Sequence, residues 1–456
     1  MSGQLAPGEG GRKLVHVGMG SIAFALRPLG PALSALGAVT AIVFNLVVLP
    51  RIGGRALWRR EDAARGFALG IVLYPVTVLL LILAFWRHLE IAAAAWGILA
   101  FGDGMATVLG QPFGRRKLPW NAQKSWVGSV SYLLCGGAAA GILLLWTAPG
   151  RYEPAFAFSI GLAAALAAAL AESLPLRLDD NLVVPLLAGL LLYCLTLTAG
   201  HWEGWWSDEA VRRLGIGLAV NLVLTGAALA IGGVDRSGAW VGALLGTALW
   251  TCLDWRGFAL LFAFFALGTA ATKVGYAQKA EERLAQEKGG RRGAHNALAK
   301  TSVPILCALF AATSDERQLF ALAAAAAFAT AAADTVSSEI GQVYGRRTFL
   351  LTTLRPVPRG TQGAVSLEGT FAGLAAACAV AGVAWASGLL APSGAPSGAP
   401  WGAAVIVVAA MAATTLESLL GATLEQRGLL DNEAVNFLNT LLGALVAVGL
   451  EVLRLR

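Results

Sequence analysis

Apolar runs of about 20 residues recur along the whole of this 456-residue chain. A run of that length, wound as helix, crosses a hydrocarbon core of ~30 Å. Lipid offers no water to backbone N–H and C=O groups, so helix is the state that satisfies them. Only 13% of the residues are charged and 57% are hydrophobic, against about 25% charged in a soluble domain. The expected fold class is therefore all-α: a polytopic integral membrane protein of about 15 transmembrane helices. The expected spans are 14–27, 31–50, 66–86, 89–111, 126–147, 155–173, 181–200, 210–231, 237–253, 257–272, 300–312, 318–341, 367–391, 401–421 and 433–451. Those at 14–27, 237–253 and 300–312 are short enough to be half-length or re-entrant. The first apolar segment has no A-x-A site and is read as a retained helix. Cys135, Cys194, Cys252, Cys307 and Cys378 lie singly in apolar runs, which argues against a zinc or disulfide framework.

With the N-terminus inside, the inner loops and the Arg12–Lys13 pair hold 25 of the 34 Lys and Arg residues. The loops 201–209 and 392–400 hold none. This asymmetry places the N-terminus in the cytoplasm and the C-terminus outside, with Trp202, Trp205 and Trp206 at the outer interface. It also accounts for the net charge of +7 without nucleic acid.

The chain repeats itself. DGMATVLGQPFGRR (103–116) matches DTVSSEIGQVYGRR (334–347), KSWVG (124–128) lies opposite VSLEG (365–369), and AESLPLRLDDN (171–181) faces LESLLGATLEQRGLLDNE (416–433). Three matched blocks in one order indicate an internal duplication. Seven helices per copy, with 210–231 as a linker helix, give two parallel tandem repeats, divided as 1–205 and 206–456.

A carboxylate inside an apolar helix is costly and marks a functional position. Asp103 and Asp334 are the two matched cases. Each helix runs into a double-arginine turn, Arg115–Arg116 or Arg346–Arg347. An acid beside such a turn suits a metal–phosphate ligand: Asp103 and Asp334 would hold Mg²⁺ and the guanidinium groups phosphate oxygens. Lys124, just before a helix, adds a phosphate-binding cation. Lys13 and His16, with Arg12, form a basic N-terminal group of the same kind. Glu172, Asp179 and Asp180 in the first copy, and Glu417, Asp431, Asn432 and Glu433 in the second, offer a general base or second metal position. The blander alternative is helix capping by Asp180 and Asp431. The 273–300 loop reads as a solvated charged helix and a flexible turn. No P-loop, GxSxG or HExxH is present, so nucleotide chemistry here needs no soluble nucleotide fold.

RKLVHVGMG (12–20), NLVVLPRIGGRALWRRED (45–62), FGDGMATVLGQPFGRRKLPWNAQKSW (101–126) and AESLPLRLDDNLVVPLLAG (171–189) resemble the phytol kinase and dolichol kinase group, which belongs with CTP-using membrane cytidylyltransferases. SGAWVGALLG (237–246), AADTVSSEIGQVYG (332–345), RGTQGAVSLEGTFAG (359–373) and LDNEAVNFLNTLLGAL (430–445) resemble the DUF92, or transmembrane protein 19, family, which includes the plant phytyl-phosphate kinase. The resemblance implies two successive phosphorylations, of an isoprenoid alcohol and then of its monophosphate, with CTP or another nucleoside triphosphate as donor and Mg²⁺ as cofactor. It carries Asp103, Lys124, Glu172, Asp179 and Asp180 to a first site, and Asp334, Glu339, Glu368, Asp431 and Asn432 to a second. Two departures stand out. The kinase motif often reads KSWEG, and here Val127 takes the Glu place. In the second family Asn commonly follows the ALA of the long loop, and here it is Lys300. The rival readings are a cytidylyltransferase forming a CDP-lipid and a lipid or solute transporter. Clustering of the polar groups at one face favours interfacial chemistry. The expected setting is a bacterial inner membrane, with the sites at its cytoplasmic face.

Overall fold

The computed structural model describes residues 16–52, 68–174, 179–202, 207–232, 234–282, 284, 293–391 and 400–455. Lys13, Trp205 and Trp206 lie outside them. The chain divides into two compact units, Met1–Ala199 and Gly200–Arg456.

The first unit is built from α1 (His16–Val48), α2 (Leu69–Ala84), α3 (Leu89–Phe113), α4 (Trp126–Thr147), α5 (Pro154–Ser173) and α6 (Asp180–Thr196). A short antiparallel hairpin, β1 (Lys117–Leu118) with β2 (Asn121–Ser125), sits between α3 and α4. The long α1 is broken at Gly30, whose φ of 67° only glycine adopts freely; the two spans expected there are its two halves. The core is α3: Ile91, Ala93, Ala94, Ala95, Ile98 and Ala100 are fully buried, and α2, α4, α5 and α6 surround it. A helix apolar on all sides is the one that goes to the centre.

The second unit holds α7 (Asp208–Ala230), α8 (Arg236–Lys273), the short α9 (Tyr276–Glu281), α10 (Ala294–Ala312), α11 (Arg317–Tyr344), a second hairpin of β3 (Thr348–Leu350) and β4 (Ala364–Ser366), α12 (Leu367–Ala386), α13 (Pro400–Glu425) and α14 (Asn432–Leu455). Its α8 is broken at Asp254 (φ 54°), where Asp254 Oδ1 accepts a hydrogen bond from Arg256 N. The centre is α11, whose Ala321–Ala333 face is buried on every side and packed by α8, α10, α12, α13 and α14. Alanine permits that close approach: a Cβ added at Gly373 of α12 would press on Ala333 O.

Among the described residues ten helices are long and apolar enough to cross a membrane, and α2 and α6 are shorter apolar helices. The chain is an all-α integral membrane protein. Sequence reading placed the 273–300 loop in solvent; instead, Lys279 on α9 is only 1% exposed.

Candidate active site

The same local frame holds the polar groups in each unit. Its central helix ends in a glycine whose N–H returns to the preceding turn: Gly114 N to Gly110 O and Gly345 N to Gly341 O, both 3.0 Å. A Cβ at Gly114 or Gly345 would overlap that carbonyl, which explains why glycine recurs before Arg-Arg. The hairpin then ends on a serine that caps the next helix. Ser125 Oγ accepts from Gly128 N at 3.2 Å and Ser366 Oγ from Gly369 N at 3.1 Å. Arg115, Arg116, Arg346 and Arg347 are exposed on the turns so formed and make no ion pair among the described residues.

In the first unit Asp103 closes a π-helical turn, Ile98–Asp103, within α3. Such turns widen the helix and are common at functional positions. His16, at the start of α1, puts Nε2 3.4 Å from Asp103 Oδ2 and 3.3 Å from Leu99 O. Glu172, near the end of α5, accepts a 2.5 Å hydrogen bond from Lys124 Nζ, and Asp180, opening α6, lies 3.8 Å from the same ammonium. Burial opposes the Lys124 charge, but Glu172, Asp180 and Asp103 together raise its pKa above the ordinary lysine value. Carboxylates from two separate sequence blocks thus act on one lysine carried by the hairpin, Glu172 and Asp180 by ion pairs and Asp103 through its field.

The neighbouring acid, Asp179, serves the fold: its Oδ1 accepts from Asn181 N at 3.0 Å and Asn181 Nδ2 at 2.8 Å. In the second unit Asp431 does the same work, accepting from Ala434 N at 2.8 Å. Capping therefore falls to Asp431, as its position suggested, but to Asp179 rather than Asp180.

The second unit supplies its cation from elsewhere. The place matched to Lys124 is Val365. Lys300, on α10, donates from Nζ to Asp334 Oδ2 and to Thr335 Oγ1, both 2.7 Å, and lysine and aspartate are both buried. Glu417 on α13 lies within electrostatic reach of Asp334, Lys300 and Glu425. Glu425 closes another π-helical turn, Gly421–Glu425, accepts from Gln362 Nε2 at 3.1 Å and bonds Asn432. Asn432 Oδ1 also accepts from Asn436 Nδ2. Glu368, in the first turn of α12, accepts from Arg346 N at 3.3 Å and so steadies the arginine turn.

Glu339 stands apart from this cluster. Its Oε2 takes a 2.5 Å bond from Lys279 Nζ and its Oε1 one from Thr272 Oγ1, while Lys279 also donates to Thr272 O at 2.9 Å. This buried knot ties α9 and the end of α8 to α11. Sequence reading gave no role to Lys279 or Glu425, and noted Lys300 only as a departure from pattern. Nothing in the order of residues announces an ion pair made across 34 or 60 positions.

Among the described residues no group of three or more His, Cys, Asp or Glu side chains is placed to hold a metal ion. Mg²⁺ that arrives on a nucleotide needs only one or two carboxylates. Asp103 fits that demand, half-buried beside an imidazole. Asp334 does not, because an ammonium already sits on its Oδ2.

Two helical units, each gathering acids and a lysine among membrane-length helices and carrying an exposed arginine turn, define an integral membrane protein. The chain belongs to the DUF92 family of integral membrane proteins, whose family model matches residues 219–444. An uncharacterized membrane protein of Synechocystis is 44% identical over 216 residues, covering 47% of this chain and 80% of that protein. Protein VTE6, chloroplastic, of Arabidopsis thaliana is 39% identical over 240 residues, 51% of this chain and 70% of its own length. A rice protein named probable phytol kinase 1, chloroplastic, is 32% identical over 199 residues, 40% of this chain and 63% of that protein. No solved structure matches.

Proposed function

We propose that the chain is a membrane kinase for isoprenoid alcohols and their monophosphates, taking phytol or a similar prenol to the diphosphate in two steps. The observation that carries this reading is the pairing of Glu172 and Asp180 with Lys124, within the field of Asp103, beside the exposed Arg115–Arg116 turn, with acids and a lysine also gathered in the second unit. The names of the rice and Arabidopsis relatives support the same reading. The prenyl tail stays in the bilayer and its oxygen reaches the charged helix ends; the distribution of Lys and Arg supports a cytoplasmic face for them.

In the first step the alcohol oxygen attacks the terminal phosphorus of a nucleoside triphosphate, with CTP the favoured donor. A P–O bond forms to the prenol, the bond to the nucleoside diphosphate breaks, and the hydroxyl proton passes to a carboxylate, a role suited to Asp180, the exposed acid of the cluster, 3.8 Å from Lys124. Lys124, Arg115 and Arg116 neutralise the phosphate oxygens. Asp103 would hold the Mg²⁺ that a nucleotide carries, and the ion would supply further charge neutralisation there. In the second step a prenyl-phosphate oxygen attacks the terminal phosphorus of another nucleoside triphosphate, the bond to the nucleoside diphosphate breaks again, and the exposed Arg346 and Arg347 face the added charge. Such transfer asks mainly for positioning and charge stabilisation.

The test is incubation of membranes containing the protein with CTP labelled at the terminal phosphate, Mg²⁺ and phytol or geranylgeraniol. Wild type should give mono- and diphosphate, Asp103→Asn neither, and Asp334→Asn the monophosphate alone. Release of pyrophosphate with a CDP-lipid would replace this reading by nucleotidyl transfer. Absence of any lipid phosphate from folded protein would sink it.

A further inference from the structure

The first unit carries a cleft at the end of its helices remote from the Arg115–Arg116 turn. It lies where α2 turns into α3. Ala84, Phe85, Trp86, Arg87 and His88 line it together with Tyr193 of α6, around a volume of about 520 Å³. From Leu89, at the start of α3, to Asp103 the helical rise covers about 20 Å, so the cleft belongs to the opposite membrane interface.

Its walls are held from within the protein. The Tyr193 ring packs on Phe85 and His88, with centroids 6.0 and 5.4 Å apart. Behind His88, the buried Glu90 takes a 2.8 Å bond from Arg151 Nη1, lies 3.3 Å from His88 Nδ1 and accepts from Tyr152 OH at 3.4 Å. Most Lys and Arg residues belong to the loops on the Arg115–Arg116 side, so two arginines at this end need an account. Glu90 accounts for Arg151. Arg87 is exposed and makes no ion pair or hydrogen bond among the described residues, and Tyr193 OH makes no hydrogen bond among them either.

A guanidinium and a phenol O–H are donors in want of an acceptor, and the guanidinium fork fits phosphate oxygens. The N-terminal end of α3, which no side chain caps, favours negative charge as well. Beside these donors Phe85 and the exposed Trp86 offer apolar surface, with the indole where such rings sit, at headgroup level. An anionic lipid meets both demands. A free anion meets only the first, and a lipid without net charge only the second.

We propose that this cleft binds the anionic headgroup of a membrane phospholipid in the leaflet opposite Asp103, with Arg87 and Tyr193 OH on its phosphate and Phe85 and Trp86 against its chains. The site stands independently of the kinase reading.

The full chain in detergent is titrated with phosphatidylglycerol or phosphatidylcholine of the same acyl chains, and binding is read by native mass spectrometry and by the thermal midpoint. Neither nucleotide nor prenol is present, so a failed kinase assay leaves the result intact. Phosphatidylglycerol should stay bound where phosphatidylcholine does not, and should raise the midpoint. Arg87→Gln should weaken that binding about tenfold or more, the scale of one hydrogen bond to a charged group. Arg87→Lys should weaken it less. Because Arg87 is exposed, its loss should leave the midpoint without lipid unchanged and remove only the rise that lipid brings. Lys117→Gln, which removes an exposed cation at the other end, should leave the binding nearly as in wild type. Equal binding by wild type and Arg87→Gln, equal losses in Arg87→Gln and Lys117→Gln, or an equal rise with phosphatidylcholine would overturn the proposal. So would a rise of the same size with inorganic phosphate alone, which would give the cleft to a free anion.

Discussion

Lys279 Nζ lies 2.5 Å from Glu339 Oε2, and neither side chain reaches solvent. The glutamate was expected at a second catalytic site, yet both its oxygens are committed inside the helix packing. Removing one partner of a buried pair strands the other charge, at a cost of about 3–5 kcal/mol. Lys279→Met is expected to lower the thermal midpoint in detergent sharply, and Lys279→Met with Glu339→Leu to recover much of the loss. If Glu339→Gln keeps wild-type stability but abolishes turnover, the residue is chemical after all.

Lys124 gives a prediction in pH. Its pKa is raised in the folded chain, so its pairing contributes fully below the ordinary lysine pKa and is lost only as pH rises through the higher folded value. Lys124 therefore imposes no alkaline limb on the first phosphorylation below about pH 10. Lys124→Ala should cut kcat/KM for that step by about 10²-fold, the scale of one well-placed charge in phosphoryl transfer, while Lys124→Arg recovers part of it. A pH–rate profile for wild type that falls between neutrality and pH ~9 in step with a single proton would count against this assignment.

Glu368 and Val127 occupy matched places, and the contact of Glu368 is with a backbone amide, Arg346 N. A hydrogen bond to a charged acceptor contributes about 1.5–3 kcal/mol. Glu368→Gln, which retains an acceptor, should leave the second step within about tenfold of wild type, and Glu368→Val should lose more. By the same logic Val127 is not expected to silence the first unit, and Val127→Glu should change the proposed first step little. A Glu368→Gln variant as inactive as Asp334→Asn would show instead that the carboxylate takes part in chemistry.

The serine caps give a purely structural prediction. Ser125→Ala and Ser366→Ala each remove the acceptor for a first-turn amide, Gly128 N of α4 or Gly369 N of α12, and should cost about 1 kcal/mol in unfolding experiments. Gly114→Ala and Gly345→Ala should be worse, since the new methyl must displace backbone. If the alanine variants at the two glycines match wild type in stability and activity, the tight turn is not what shapes the arginine pair.

The helices were legible because lipid leaves the backbone no alternative, and even the breaks showed: Gly30 with Pro31 after it, and the Asp254 region between two apolar runs, divided spans where the structure divides them. The carboxylates at Asp103 and Asp334 were legible because charge in an apolar run is costly. The choice of partner was not. Lys279 and Lys300 sit in a stretch so rich in charge that it reads as solvated, and only packing against α11 buries them. Glu425 was taken for part of an inner loop, and a π-helical turn carried the helix on to reach it. At Asp179–Asp180 two identical side chains competed for one cap, which spacing alone could not decide.

The relocation of the lysine between the two units has an implication for how such a chain can diverge. What the membrane-embedded acids demand is local electroneutrality, and a cation meets that demand from any segment whose tip reaches them. A duplicated scaffold can therefore lose a lysine from its hairpin and recover the balance from a helix far away in sequence, with the helices unmoved. Two halves that look mismatched when their residues are laid side by side can be equivalent as fields, and a variant chain carrying the Lys124 pattern in both units would test how freely that balance transfers.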